Sequence, residues 1–370
     1  MSMVPSVQDI RHAKGIPHRR IEDWKYSDLR AVLDPETLAR NARIQWRIKS
    51  PPNVERTSIG IDSLPNWAAD MLQRHRSASP MDAAALAFDF HGVALRIPPG
   101  AQLAEPIHLE FHADGQGQVV MLLGKGASAT LRESHSGDGY AFRNISVLIM
   151  LEDGARLTQI CEAPPASDAV SVETISVVQK ANSHYRAHFM QGGGKLSRTE
   201  IAILLAGEGA EADLSGVSVL GGKTHADITT RIDHAVPDTT SRQLFKKVAG
   251  GHSRAVYQGK ITVREGAIGS DSRQTAKALL LSNHAEADLK PELEIFADDV
   301  KCAHGAAVGD LDQDSLFYLR ARGIPENEAR GMLVHAFLQE VVDGIEDDSL
   351  RASAVAFVDA GLARAMAGTP

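Results

Sequence analysis

The chain has 370 residues, 43% of them apolar and 23% charged, the composition of an ordered protein able to bury a large core. A formal net charge of −8 excludes nucleic-acid binding driven by overall charge, and two cysteines, Cys161 and Cys302, are too few for a disulfide framework. The longest apolar run is about seven residues (Ile145–Leu151, broken by Ser146), far short of the roughly 20 that span a bilayer, and the opening MSMVPSVQDIRHAKG lacks the apolar core of a secretory signal, so the expectation is a cytoplasmic protein.

Residues 1–80 read as a polar N-terminal helical region. In His18–Val32 the residues Ile21, Trp24, Leu29 and Val32 fall at loosely helical spacing. Asp34-Pro35 predicts a further helix with proline at its first position. Ser77–Met81, SASPM, reads as a linker.

From 81 to 309 the pattern changes to short apolar runs such as HGVALRIP, PIHLEFH, QVVMLL and RTEIAILL, separated by Gly, Asp and Asn turns. Apolar residues recur at every second position, the period of a strand. The turns recur too. Gly126-Ala127, Gly154-Ala155, Gly209-Ala210 and Gly266-Ala267 are 28, 55 and 57 residues apart, close to one, two and two units of about 28. AEADL occurs at Ala210–Leu214 and again at Ala285–Leu289, but its separation of 75 fits that unit poorly. Strands and turns repeating at this length predict a β-solenoid, each coil burying its inner face against its neighbours. A β-sandwich or jelly roll is the rival, since it also yields many short strands.

Residues 310–370 are predicted to be a C-terminal helical domain. Asp312 or Asp314 caps a helix carrying Leu316, Phe317 and Leu319, and Gly323 ends it. Pro325 opens a second helix, with Glu326 and Glu328 in its first turn favouring the dipole. Ala329, Met332, Leu333, Ala336, Phe337 and Val341 form an apolar stripe along it, and a third helix runs from about Asp348 to Leu362. The segment carries 11 acidic and 5 basic side chains, most of the chain's net charge. A small acidic helical unit appended to a solenoid suits a basic partner.

The most informative stretch is Asp299–Gly323, where strands give way to helices. Cys302 and His304, two apart in a strand, share a face with Cα atoms roughly 6.5–7 Å apart. A thiolate and an imidazole so placed suit Zn²⁺, Fe²⁺ or an iron–sulfur edge, and two ligands leave the site incomplete without a second chain. The plainer alternative is a buried cysteine beside a surface histidine. Glu292 and Glu294, with Lys260 nearby, form a carboxylate pair of the kind glycosidases use, although exposed carboxylates on a strand are common. Gly216–Thr224, GVSVLGGKT, imitates a phosphate loop, but Gly222 intervenes before Lys223 and the following HADITTRIDH alternates like a strand. Single histidines such as His135, His184 and His252 carry little information among 15.

Several segments resemble the SufB/SufD family of iron–sulfur cluster assembly scaffolds. They are His234-Ala-Val-Pro-Asp-Thr-Thr-Ser241, Tyr257-Gln-Gly-Lys260-Ile-Thr-Val263, Lys290-Pro-Glu-Leu-Glu-Ile295, Asp299-Val-Lys-Cys302-Ala-His304-Gly-Ala306 and Asp314-Ser-Leu-Phe-Tyr-Leu-Arg-Ala-Arg-Gly-Ile324. Arg19-Arg20-Ile-Glu22-Asp-Trp24-Lys25-Tyr26-Ser27 resembles the family's amino-terminal signature, and the wording around Cys302 is most similar to the SufD branch.

The resemblance implies a right-handed parallel β-helix between helical terminal regions. It implies a non-catalytic scaffold that pairs with a SufB-like subunit, or with a second copy when alone, through the β-helix end near Cys302 and His304. It implies a SufC-like ABC ATPase docked on the C-terminal helices, for which Leu316, Phe317, Tyr318, Arg320, Met332 and Phe337 are the candidate contacts. No stable cofactor is expected in the isolated chain, only transient iron or an iron–sulfur cluster at the subunit junction, and neither nucleic acid nor membrane is an expected partner. Two other readings are a secreted-type β-helix carbohydrate-active enzyme and a stand-alone metal-binding homodimer.

Overall fold

A computed structural model describes residues 16–34, 36–37, 43–60, 63–75, 79–87, 91–135 and 141–367. Pro35, Ser77, Ala78 and the opening fifteen residues, on which parts of the sequence reading fall, lie outside them. The strands in chain order are β1 (Gln45–Lys49), β2 (Glu55–Ile59), β3 (Gly92–Ile97), β4 (Ile107–His112), β5 (Gly115–Leu123), β6 (Ser128–His135), β7 (Phe142–Leu151), β8 (Arg156–Ala163) and β9 (Ala166–Gln179). There follow β10 (His184–Gln191), β11 (Gly194–Leu205), β12 (Glu211–Leu220), β13 (His225–His234), β14 (Thr240–Ala249), β15 (Arg254–Val263), β16 (Asp271–Leu280), β17 (Glu286–Ile295) and β18 (Lys301–Asp310). The helices of more than one turn are α1 (Asn66–Arg74), α2 (Pro80–Ala87), α3 (Gln313–Ala321), α4 (Glu326–Asp343) and α5 (Asp348–Met366). None of the described helices is long and apolar enough to cross a membrane.

From β3 onward, odd-numbered strands stack in one nine-stranded sheet and even-numbered strands in the other, so each coil contributes one strand to each. Ser128, Arg156, His184, Glu211, Thr240, Asp271 and Lys301 lie in register along the even sheet, a step of 28 residues at first and about 30 later. The architecture is therefore the solenoid and not the sandwich. The two AEADL copies fit the period poorly because they lie in opposite sheets, at the start of β12 and of β17, two and a half coils apart.

One corner of the coil explains the Gly-Ala pairs. Gly126, Gly154 and Gly209 have φ of 66°, 67° and 70°, a region open to glycine, and the alanine after each is fully buried in the lumen. Asn182 and Asp238, with φ of 53° and 54°, occupy the same corner in the coils between. Backbone bonds climb the stack: Gly154 N donates to Ala181 O, Asn182 N to Glu208 O and Gly209 N to Asp238 O. Asparagine and aspartate are the side chains that tolerate this conformation best, so the corner repeats once per coil although its letters do not.

Inside, alternate residues of both sheets build one continuous apolar core, from Val93 and Leu109 through Ile149 and Phe189 to Phe245 and Tyr257. Outside, the even sheet is covered by α4 and α5, whose Val334, Leu338, Val341, Val358 and Leu362 pack on Val217, Val219 and Val248. The buried stripe of α4 is thus Ala329, Val334, Leu338 and Val341, while Met332, expected on that stripe, is 46% exposed. The odd sheet is covered near its start by α1, through Ala68 and Met71 on Val120 and Leu148.

The N-terminal region carries the expected helices in α1 and α2, but two strands precede them. β1 pairs antiparallel with β4, and β2 antiparallel with β3, so these two strands extend both sheets beyond the first coil. β2 is almost wholly exposed and shows no amphipathic alternation, whereas β1 alternates, with Trp46 and Ile48 packed on the core, over only five residues. His18–Val32 is a 3₁₀ turn at Glu22–Trp24 followed by a single helical turn capped by Asp28. Trp24 and Leu29 are pinned in a satellite core with Phe142, Val172 and Leu196, which a straight helix would not reach.

Glycine at two other corners serves close packing. A Cβ on Gly250 would lie 2.0 Å from the carbonyl oxygen of Ala365, and one on Gly221 2.5 Å from that of Arg364. The GVSVLGGKT segment is therefore the end of β12 and a turn seated under α5, followed by strand β13 and not by a helix. Gly250→Ala is expected to destabilise the chain by about 1–3 kcal/mol, the usual cost of overpacking, measured by urea unfolding followed by circular dichroism. Burial also pushes His188, His225 and His234 each down to about 4 from 6.5. The unfolded chain takes up those protons near pH 6.5 and the folded chain only near 4, so stability falls as pH drops through that window. The expected slope is about 1.4 kcal/mol per pH unit for each histidine protonated only when unfolded, read from urea midpoints at several pH values.

Candidate functional site

The coil stack ends at β17 and β18, which pair on one side only, with β15 and β16. In that last pairing Cys302 lies opposite Ser272 and His304 opposite Gln274. Ser272 and Gln274 are buried lumen residues, so Cys302 and His304 continue the inward-facing ladder at a rung with no coil above it. His304 is exposed and Cys302 is half-buried against the cluster of Ile261, Val263 and Ala267. Burial, and then the charge of Asp271, pushes the Cys302 thiol up, so it stays protonated at neutral pH without a cation beside it.

Beneath this rung the lumen is polar. His234 bonds Ser241 at 2.9 Å, and Ser241 bonds Ser272 at 2.7 Å. Gln274 Nε2 donates to the Tyr257 hydroxyl at 2.8 Å, and Tyr257 donates to Gln243 Oε1 at 3.1 Å. Gln274 Oε1 is buried without a hydrogen-bond partner, one strand below His304. The rim strands differ from each other. β18 runs Lys301–Asp310 with small and apolar residues through its centre and is almost wholly exposed, while β17 carries Pro291 at its centre and alternating charges. Glu292 and Glu294, the carboxylate pair considered above, each bond a lysine, Lys290 at 3.1 Å and Lys260 at 2.7 Å. They are members of ion pairs on the outer face.

The sequence-expected partner contacts on the C-terminal helices divide by exposure. Phe317 is 75% exposed, Tyr318 57% and Met332 46%, and Arg320 is exposed and paired with Glu326. Phe337 is half-buried beneath the Lys246 ammonium, and Leu316 is buried, so it anchors α3 and does not face solvent. The amino-terminal signature plugs the outer face of the odd sheet. Arg198, fully buried, stacks on Trp24 at 4.1 Å and pairs with Glu200 and Asp227, while Ser27 donates to Asp227 and Asp23 pairs with Arg231.

A second constellation escaped the sequence reading. Glu133 and His135 on β6, Cys161 on β8 and Glu173 on β9 are all buried and converge in the lumen. His135 Nε2 lies 2.9 Å from Glu133 Oε1, 3.7 Å from Glu173 Oε1 and 3.6 Å from Cys161 Sγ. Cys161 Sγ is 3.6 Å from Glu173 Oε2 and 4.0 Å from Glu133 Oε1. Burial, and then the neighbouring Glu173, pushes Glu133 up to about 8. Burial opposes the charged forms of His135 and Glu173 as well, but their mutual attraction and the bonds with Glu133 outweigh it, taking His135 up to about 9 and Glu173 down to about 2. Burial and the two glutamates hold the Cys161 thiol well above its ordinary range. The available signal was the coil period: Cys161 sits 28 residues after Glu133 and directly opposite it in register.

A family profile described as SUF system FeS cluster assembly, SufBD core domain, matches residues 112–337. The iron–sulfur cluster assembly protein SufD of Escherichia coli is 27% identical over 92% of this chain and 88% of its own length. A SufBD family protein of Mycobacterium leprae is 27% identical over 93% of this chain and 90% of its own length. A SufBD family protein of Synechocystis is 30% identical over 69% of this chain, and there the match spans only 60% of the relative's length.

The two thiols are expected to differ in reactivity. Iodoacetamide at neutral pH should modify Cys302 in the folded chain and Cys161 only after unfolding, giving one adduct natively and two in guanidinium by mass spectrometry.

Proposed function

The chain belongs to the SufBD family of SUF-system iron–sulfur cluster assembly proteins and is a homologue of SufD, and from that premise we propose that it is a non-catalytic scaffold subunit. It pairs with a SufB-like subunit through the open end of its coil stack and carries a SufC-like ATPase on α3 and α4. The observation that supports this most directly is the last rung, where Cys302 and His304 face the lumen axis and no further strand among the described residues stacks on β18. A parallel β-helix ending in a long unpaired strand offers a full row of backbone donors and acceptors, and such edges are covered in functional proteins. A partner coil stacked there brings the further ligands that a cysteine and a histidine alone lack.

In this reading iron or a nascent cluster is cargo at the seam, held between the two chains. The imidazole of His304 supplies a neutral ligand. The Cys302 thiol, protonated in the free chain, ionises when the cation arrives, because a bound metal replaces the proton. When the chain is alone, a second copy covers the same edge. The exposed Phe317, Tyr318 and Met332 form the surface for the ATPase, which performs the hydrolysis, and the complex works in the cytoplasm.

Co-expression with a SufB-like subunit and the ABC ATPase tests both faces. His304→Ala should leave the three chains co-purifying and abolish cluster-dependent enzyme activity in a strain relying on this pathway; unimpaired activity would remove the junction from the mechanism. Phe317→Asp with Tyr318→Asp should cost the ATPase contact about 2 kcal/mol or more, roughly a thirtyfold loss of affinity by calorimetry. Undiminished affinity would place the ATPase elsewhere.

A further inference from the structure

We propose that the lumenal cluster Glu133, His135, Cys161 and Glu173 is a resident binding site for one divalent first-row transition-metal ion of the Zn²⁺ or Fe²⁺ class, separate from the seam at Cys302 and His304. Four ligand atoms, two carboxylate oxygens, one imidazole nitrogen and one sulfur, lie within 4.8 Å of one another. A tetrahedral ion with bonds of about 2.0–2.3 Å sets its ligands about 3.3–3.8 Å apart. His135 Nε2 to Cys161 Sγ, at 3.6 Å, falls in that range. So do Cys161 Sγ to Glu173 Oε2 at 3.6 Å and His135 Nε2 to Glu173 Oε1 at 3.7 Å, which use the two oxygens of one carboxylate. Cys161 Sγ to Glu133 Oε1, at 4.0 Å, is just outside it. The Glu133–His135 hydrogen bond, at 2.9 Å, and the close contact of the Glu133 and Glu173 carboxyls have to open.

Independent observations point to a ligand. Glu173 Oε1 is buried and makes no hydrogen bond, and His135 Nε2 lies 3.7 Å from it. A buried carboxylate oxygen that makes no hydrogen bond is costly in a dry interior, and the His135 ring at 3.7 Å compensates it by charge alone. A cavity of about 10 Å³ touches both His135 and Glu173, room for one water-sized body. That cavity also touches two buried arginines, Arg198, whose charge Glu200 and Asp227 neutralise, and Arg143. Glu133 is further oriented from behind, since Gln159 Nε2 donates to its Oε2 at 3.1 Å and the Tyr185 hydroxyl donates to Gln159 Oε1 at 2.7 Å. Metal-ligating side chains are typically aimed by such outer partners. Mixed oxygen, nitrogen and sulfur donors suit Zn²⁺ or Fe²⁺, and suit neither Ca²⁺ and Mg²⁺ nor Cu⁺.

The test uses the full chain, stripped with a chelator and titrated with Co²⁺ alone. One equivalent should bind, with a near-ultraviolet sulfur-to-cobalt charge-transfer band. The band should persist in the double variant Cys302→Ser, His304→Ala and vanish in Cys161→Ser. Gln159→Leu, which removes the group that orients Glu133, should weaken Co²⁺ binding roughly 10–100-fold. Glu173→Gln, nearly isosteric, should weaken it at least as much, and serves as the decisive variant if Cys161→Ser loses its circular dichroism signature. Failure of the wild-type chain to take up one equivalent overturns the proposal. So does a band that survives Cys161→Ser in a folded protein, or unchanged affinity in Glu173→Gln. A band lost only in the Cys302, His304 double variant also overturns it while supporting the seam, so the two readings fail separately.

Discussion

In-register stacking of coils is the constraint on which the other features depend. Each coil buries its inner residues only because the next coil covers them, and the cover must arrive at a fixed step. The corner residues set that step. Gly126, Gly154, Asn182, Gly209 and Asp238 turn the chain through the left-handed region and hand one backbone bond to the next coil. A residue that resists this conformation would displace the whole downstream register, and with it every lumen side chain. The same stacking places Glu133 opposite Cys161 and Gln274 opposite His304. The lumenal cluster is therefore a product of the period and not of a local motif, while the period gives the Cys302–His304 pair its place on the last rung.

Covering a coil's outer face is a separate problem, and the chain solves it with its two ends. The C-terminal helices lie on the even sheet, close enough that glycine is required at Gly221 and Gly250 below α5 and at Gly361 within it. The amino-terminal segment lies on the odd sheet, where the buried guanidinium of Arg198 is held by two carboxylates and the Trp24 ring. Removing one partner of such a buried pair leaves an uncompensated charge, which costs about 3–5 kcal/mol. The residues that made Arg19–Ser27 resemble a family signature thus have a structural role here.

The solenoid was legible because strand alternation and the Gly-Ala corners survive in the letters. Its period was blurred by Asn182 and Asp238, which fill the glycine position with other residues, and by the AEADL copies, which sit on opposite sheets. β2 is exposed on both faces and carries no alternation to detect, and β1 alternates for only five residues, Trp46 and Ile48 packing inward. Cys302 and His304 were readable because both lie on one strand. The lumenal cluster was not, because its members come from three strands and only the coil step unites them. Nothing in the spacing of Glu133 and Glu173 announces that they meet. On α4 the apolar letters admitted two faces, and packing against Val217, Val219 and Val248 chose the one holding Val334 and Leu338.

Pro291 has a consequence for assembly. A proline in a strand leaves one ladder position without a donor, and it is tolerated where that position looks outward. The rim of the odd sheet is therefore notched at its midpoint, while the rim of the even sheet is complete from Lys301 to Asp310. A neighbour can zip along the whole of β18 but must skip a bond along β17. In the assembly proposed above the seam is therefore lopsided, and its weaker side runs along β17.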